Sequence, residues 1–134
     1  MNLFISPEDT ISFDVYVTVD SDNNVYANID KKALLKENKE IKEDQVVSFN
    51  FTFKKPSYKD NIDIMKKSGG LTSNGETIEF DASSIRYERF VTLLEAWTLV
   101  DSSGNPLPAI KENVDRLHPT LASVILDRME EGVS

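Results

Sequence analysis

The chain has 134 residues, of which 40% are hydrophobic and 28% are charged, proportions that are ordinary for a soluble globular domain. It contains no cysteine, which excludes a disulfide framework, a thiolate zinc site and a cysteine nucleophile, and which fits a reducing cytoplasm. The net charge of −8 argues against direct nucleic-acid binding, and no apolar run is long enough to span a bilayer. We therefore expect one domain over residues 1–134.

Two stretches of the N-terminal half have the pattern of half-buried strands. In Ile11–Asp20 and in Gln45–Phe53, apolar residues recur at every second position. After the first stretch, the turn residues "SDNN" and the following "VYANID" predict a hairpin. The segment "KKALLKENKEIKED" is rich in lysine and glutamate, and it is compatible with either a short helix or a solvated loop.

Helical signals begin after Pro56. Ser57 can cap a helix, Asp60 suits its first turn, and Gly69 suits its end. Beyond it, Asn74–Gly75 is typical of a turn between short extended pieces.

The longest predicted helix covers about Ser83 to Val100. Its apolar stripe consists of Tyr87, Phe90, Val91, Leu94 and Trp97. We expect the helix to stop at "DSSGN", where Gly104 takes a positive φ. A short helix in "AIKENVDRL" and a last helix that starts at Pro119 would then fold back on the long one. The residues expected to face inward are Ile110, Val114 and Leu117 in the short helix, and Leu121, Ala122, Ile125 and Met129 in the last.

The order of these elements predicts the fold class. Residues 1–55 are rich in strands, and residues 56–134 are rich in helices. Elements segregated in this way favour an α+β fold, with N-terminal antiparallel strands followed by a C-terminal helical layer.

The residues predict no catalytic, cofactor or metal site. His118 is the only histidine, and it precedes a proline that suits a helix start, which favours a capping or surface role. Asp20–Asn24 begins like a calcium loop, but Val25 and Lys31 stand where such a loop needs glycine and glutamate. We therefore expect a protein that is not an enzyme and needs no cofactor.

The C-terminal segment "WTLVDSSGNPLPAIKENVDRLHPTLASVILDRM" resembles the C-terminal part of phage tail assembly chaperones and related small tail-module proteins. The matching positions are Trp97, Asp101, Gly104, Pro106–Leu107–Pro108, Glu112–Asn113–Val114 and Leu117–His118–Pro119. "FKKPSYKDNIDI" is similar to an upstream element of such proteins. The resemblance implies a non-enzymatic factor in the host cytoplasm that binds the tape-measure protein and keeps it soluble.

The helical layer is where we expect such a partner to bind. The candidate contact residues are Tyr87, Phe90, Leu94, Trp97, Leu107, Val114 and Leu117. For Trp97 and the aromatic stripe around it, we expect a core role first, and partner contact is the alternative. Two other functions stay open, a structural virion protein of the tail, neck or baseplate and an acidic inhibitor of a host nucleic-acid-binding protein, and so does self-association.

Overall fold

The computed structural model describes residues 1–69 and 82–133 of the chain. The strands are β1 (Thr10–Val19), β2 (Val25–Asn28), β3 (Val47–Lys54) and β4 (Leu94–Trp97). The helices are α1 (Lys31–Glu37), α2 (Tyr58–Lys67), α3 (Ala82–Leu93), α4 (Lys111–Val114) and α5 (Pro119–Val133). The turn predicted at Asn74–Gly75 lies outside the described residues.

The strands form one antiparallel sheet in the order β2-β1-β3-β4. Phe13 pairs with Phe51 and Val15 pairs with Phe49, so the alternation predicted in both strands points to one shared face. Phe51, Phe53 and Val15 are completely buried on that face. The predicted α+β class is therefore confirmed.

The hairpin predicted after β1 is confirmed, and an aspartate holds its loop. The Oδ1 atom of Asp20 accepts hydrogen bonds from the backbone N–H groups of Asp22 and Asn24, each at 2.9 Å. Asn23 has a φ of 65°, which asparagine tolerates better than most residues. These bonds close the turn between β1 and β2.

The lysine-rich segment that the sequence left undecided contains a short helix, α1. Leu34 of this helix is 1% exposed but stands apart from the main core. Thr18 is 3% exposed, and its hydroxyl donates a 3.1 Å hydrogen bond to the Gln45 carbonyl. Thr18 points to the face of the sheet opposite to that of its neighbour Val17, because side chains alternate along a strand. Since Thr18 contacts Gln45 there, residues 31–46 cover one end of that face.

The prediction of a single helix from Ser83 to Val100 is wrong in its second part. α3 ends at Leu93, and the chain continues as β4 beside β3, with Trp97 opposite Phe51 and Leu94 opposite Phe53. A register shift between Thr52 and Phe53 lets this short strand join the sheet. Leu94 and Trp97 are three positions apart, a spacing that fits a helix, but pairing with the edge of β3 decides their conformation.

Gly104 takes the predicted positive φ, at 84°, but it turns a hairpin and does not end a helix. Val100 bridges to Pro106, and Leu107 N–H donates to the Leu99 carbonyl at 3.0 Å. The Oδ1 atom of Asp101 accepts from Ser103 and Asn105, as Asp20 does in the first loop. The two loops "DSDNN" and "DSSGN" therefore share one design.

The helices α2 and α5 follow their predicted signals. Ser57 and Asp60 form a reciprocal capping box at the start of α2, and Gly69 follows its end with a φ of 77°. α5 begins at Pro119 and buries Leu121, Ile125 and Met129.

The predicted return of the C-terminal helices to α3 is confirmed in part, because Val114, Leu121 and Ile125 share one core cluster with Phe90 of α3. The closest backbone contacts lie elsewhere. α5 packs mainly on β1 and β2, while α3 packs beside α2. Ile110, which was expected to pack inside, is 47% exposed. One hydrophobic cluster nevertheless joins the sheet to α2, α3, α4 and α5.

Candidate functional site

The separation of α3 from α5 leaves an open cleft of about 530 Å³. Its apolar lining comes from three helices and the turn after α4, and consists of Tyr87, Phe90, Val114, Leu117, Ala122 and Leu126. Ser83, Arg86 and Asp115 supply polar groups at its sides. We call this feature the helix cleft.

The helix cleft has a buried floor and accessible walls. Phe90 and Val114 are 2% and 7% exposed, and both belong to the core. Tyr87, Leu117, Ala122 and Leu126 are half-buried. A bound side chain would therefore contact the core directly, while the walls keep apolar surface that is still open to water.

A second cleft of about 380 Å³ lies next to the first. Trp97, Leu99, Leu107 and Leu117 line it, together with polar residues of the "DSSGN" loop and of α4. We call it the hairpin cleft. Leu117 lines both clefts and so forms the wall between them.

Six of the seven predicted contact residues line one of these clefts. Tyr87, Phe90, Val114 and Leu117 lie in the helix cleft, and Trp97, Leu107 and again Leu117 lie in the hairpin cleft. Leu94 lines neither, because it belongs to β4 and packs against the core.

Three apolar residues that line the clefts were not among the predicted contact residues: Leu99 in the hairpin cleft, and Ala122 and Leu126 of α5 in the helix cleft. Ala122 was expected to face the core, and Leu126 was not singled out. The two residues are four positions apart, which places them on one side of α5 beside its buried stripe. The apolar stripe of α5 is therefore wider than its buried residues alone, and this width is the sequence signal that could have identified Ala122 and Leu126.

Trp97 is held in the wall of the hairpin cleft by two contacts. Its ring packs edge-on against Phe51, with 6.4 Å between the ring centroids. Its Nε1–H donates a 2.7 Å hydrogen bond to the Leu107 carbonyl. The indole thus links β4 to the returning arm of the hairpin and leaves part of its surface in the cleft.

Charged side chains bridge α3 and α5 along one side of the helix cleft. Arg86 donates to Glu130 at 2.6 Å and to Asp127 at 2.7 Å, and Arg89 donates to Glu130 at 2.9 Å. The hydrogen bond to Glu130 is the main reason that the pKa of Arg86 is raised above its ordinary value. Glu130 accepts from both arginines, so these ion pairs connect α3 to α5.

A second bridge joins α3 to α4. The Tyr87 hydroxyl donates a 2.6 Å hydrogen bond to Asp115, and this bond raises the pKa of Tyr87 above its ordinary value. Lys111 lies 3.8 Å from Asp115 and 6.0 Å from the centre of the Tyr87 ring. Side-chain contacts of Tyr87 therefore connect α3 to α4 and to the turn that follows it.

The geometry around His118 is that of a cap. Its Nδ1 atom accepts a 3.2 Å hydrogen bond from the N–H of Thr120, in the first turn of α5. Across residues 1–69 and 82–133, no three His, Cys, Asp or Glu side chains are grouped so that they could hold a metal ion. Over the same residues, no helix is long and apolar enough to cross a membrane.

Comparison of the chain with protein-family models, with curated proteins and with solved structures finds no match.

Proposed function

We propose that this protein is a non-enzymatic phage tail-assembly factor that binds a helical segment of a protein partner. The observation that carries the proposal is the helix cleft, an open apolar groove between α3 and α5. The partner that the sequence resemblance implies is the tape-measure protein. Binding would cover apolar surface of both proteins and keep the partner soluble during assembly.

The residues of α3 that line the groove run from Ser83 to Phe90, which is about 12 Å of helix. An amphipathic helix of about two turns presents apolar anchors at positions i, i+4 and i+7 over that distance. Its anchors would contact Tyr87 and Phe90 on one wall and Ala122 and Leu126 on the other.

The bridges between the helices favour binding without a large rearrangement. Arg86 and Arg89 connect α3 to α5 through Glu130, so the free protein already holds the groove open. A groove that is formed before binding loses less conformational freedom when the partner arrives.

The test is co-expression of this chain with the tape-measure protein of the same genome, followed by co-purification. The wild-type chain should increase the soluble fraction of the tape-measure protein and co-purify with it. Ala122→Gln places a longer side chain in the groove and should weaken the affinity for the partner at least about tenfold. Both the soluble fraction of the tape-measure protein and the amount that co-purifies should therefore fall.

Ser123→Gln is the matched control, because Ser123 is the exposed neighbour of Ala122 on the same helix and lines neither cleft. It should behave as the wild type. Point changes are preferable to truncation, since α5 supplies Ile125 and Met129 to the core. The proposal fails if the wild-type chain does not bind, or if folded Ala122→Gln binds as well as Ser123→Gln.

A further inference from the structure

The edge of the sheet on the β2 side is only partly occupied. β2 pairs with β1 from Tyr16 to Val19, whereas β3 pairs with β1 from Thr10 to Val17. After Asn28 the chain leaves the sheet and enters α1. Within residues 1–69 and 82–133, the stretch Thr10–Val15 therefore has a strand neighbour on one side only. We call this stretch the open edge.

Hydrogen bonds just outside the two ladders show which backbone groups point to the open edge. The N–H of Lys55 donates to the Asp9 carbonyl at 2.8 Å, which places the odd-numbered residues of β1 in hydrogen-bonded pairs with β3. The N–H of Asp20 donates to the Asn24 carbonyl at 3.0 Å, which places the even-numbered residues in such pairs on the β2 side. The residues that therefore direct their N–H and carbonyl groups to the open edge are Thr10, Ser12 and Asp14.

The open edge lacks most of the devices that protect a sheet edge. Its sequence "TISFDV" contains no proline, glycine or lysine, its only charged residue is Asp14, and its pairing with β3 has no register shift. Thr10, Ser12 and Asp14 are all exposed. The edge at β4 differs, because β4 has four residues and its pairing with β3 contains a register shift. A regular, exposed edge with free backbone donors and acceptors is a surface on which another strand can pair.

We propose that the open edge pairs with the same edge of a second copy of this chain, so that the two sheets join into one. Two-fold symmetry makes such a pairing antiparallel. With Ser12 opposite Ser12 of the second copy, Thr10 lies opposite Asp14, and all the backbone groups that point outward find partners. A shift of two positions in one direction would place Thr10 opposite Tyr16, which already pairs with Asn28. A shift in the other direction would place Asp14 opposite Glu8, a like charge outside β1.

The side chains of this register are compatible on both faces of the joined sheet. On the core side, Ile11 lies opposite Phe13 of the second copy, and a β-branched residue facing an aromatic one stabilises an antiparallel pair. On the other side, no two like charges face each other, because Thr10 faces Asp14 and Ser12 faces Ser12. The open edge is therefore complementary to itself, which favours a second copy as its occupant.

Sedimentation equilibrium of the full chain between about 10 μM and about 1 mM measures the self-association, since a short edge contact gives a weak dimer. The wild type should form dimers as its concentration rises. Hydrogen exchange followed by NMR locates the contact. The N–H groups of Ser12 and Asp14 should exchange more slowly at high concentration, whereas those of Phe13 and Val15 should change little, because they already bond to β3.

A pair of matched variants tests the register. Ser12→Lys places two ammonium groups opposite each other in the dimer and should weaken self-association about fivefold. Ser48→Lys makes the same substitution at an exposed residue of β3, opposite Tyr16 and away from the open edge, and should leave self-association unchanged. Both variants reduce the net negative charge equally, so repulsion between whole chains predicts no difference between them. A mixture of Ser12→Lys and Ser12→Glu chains should associate again, because opposite charges then face each other.

Three outcomes would overturn the inference: a wild type that stays monomeric at about 1 mM, equal effects of Ser12→Lys and Ser48→Lys in folded protein, and dimers in which the N–H groups of Ser12 and Asp14 exchange as in the monomer. If the wild type stays monomeric and the tape-measure protein slows exchange at these N–H groups, the open edge binds an extended segment of that partner, and a second copy is the wrong occupant. None of the residues of the open edge lines the helix cleft, so failure here leaves the proposed function intact.

Discussion

The hydroxyl of Tyr87 donates a 2.6 Å hydrogen bond to Oδ1 of Asp115, and this contact connects α3 to the turn after α4. Both residues line the helix cleft. Because Asp115 is exposed and Tyr87 is only half-buried, the bond should contribute little to overall stability.

Tyr87→Phe should lower the free energy of unfolding slightly, and a double-mutant cycle with Asp115→Ala should give a favourable coupling. The bond raises the pKa of Tyr87 in the folded state, so its contribution is present below about pH 10, the ordinary pKa of tyrosine. As the pH rises further, the wild type should lose this contribution while Tyr87→Phe does not. Urea unfolding across that pH range measures the difference, and parallel curves for the two proteins would contradict it.

Trp97 supports a stability prediction because its two contacts can be separated. Trp97→Phe keeps an aromatic ring beside Phe51 but removes the hydrogen bond to the Leu107 carbonyl, which should cost about 1 kcal/mol. Trp97→Ala also removes the ring and should cost about 3 kcal/mol, the lower end for a large aromatic side chain, because Trp97 is only half-buried.

Denaturant unfolding of the two Trp97 variants provides the measurement. Val100→Ala is a suitable control, since Val100 lies three residues away in the same hairpin and is 44% exposed. A loss below about 1 kcal/mol for Trp97→Ala would mean that the indole contributes little to the fold.

Strands β1 and β3 could be predicted because the alternation of apolar residues is visible within each segment of the sequence. Alternating apolar residues in β1 and β3 identify the buried face, and pairing follows once Phe13 and Phe51 share that face. The capping box of α2 and the Pro119 start of α5 are equally local signals. The predictions for these elements agree with the structure because each signal lies within a few neighbouring residues.

β4 could not be predicted in this way. Its four residues follow α3 directly, and the three-position spacing of Leu94 and Trp97 fits a helix, whereas in a regular strand it would place them on opposite faces. The register shift between β3 and β4 allows both residues to pack against the core. Pairing with the edge of β3 decides in favour of the strand. This pairing joins residues far apart in the sequence, since Phe51 and Trp97 are separated by more than 40 positions. For the same reason, the predicted contact residues divide between two clefts that no local pattern reveals.

The shared design of the two aspartate loops gives a prediction about Gly104. A side chain at this position would meet no atom within 4 Å, so substitution affects only the backbone, whose φ is 84°. Gly104→Ala should therefore cost about 1 kcal/mol, the usual cost of left-handed geometry for alanine.

Gly104→Asn should cost less than Gly104→Ala, because Asn23 already adopts this geometry, with a φ of 65°, in the matching position of the first loop. Thermal unfolding compares the two variants, and Ser103→Ala provides the control for a change at the next residue. An equal loss for alanine and asparagine would show that the two loops do not tolerate asparagine alike.

Asp60 gives the clearest pH-dependent prediction, because it connects the end of β3 to the start of α2. Its carboxylate accepts a hydrogen bond from the N–H of Ser57 at 2.9 Å and pairs with Lys54 at 3.1 Å. The backbone hydrogen bond from Ser57 is the main cause that holds the pKa of Asp60 below its ordinary value of 3.8. A depressed pKa in the folded state means that this stabilisation is present above about pH 4 and is lost as the pH falls through the folded-state pKa. Asp60→Asn should therefore lower the free energy of unfolding by about 1 kcal/mol at neutral pH, and its deficit relative to the wild type should shrink in acid.

Asp63→Asn is the matched control on the same helix, where the carboxylate lies 3.8 Å from the exposed Lys59 and should contribute less. If the two variants show the same loss and the same pH dependence in urea unfolding, the capping box of α2 does not stabilise this junction.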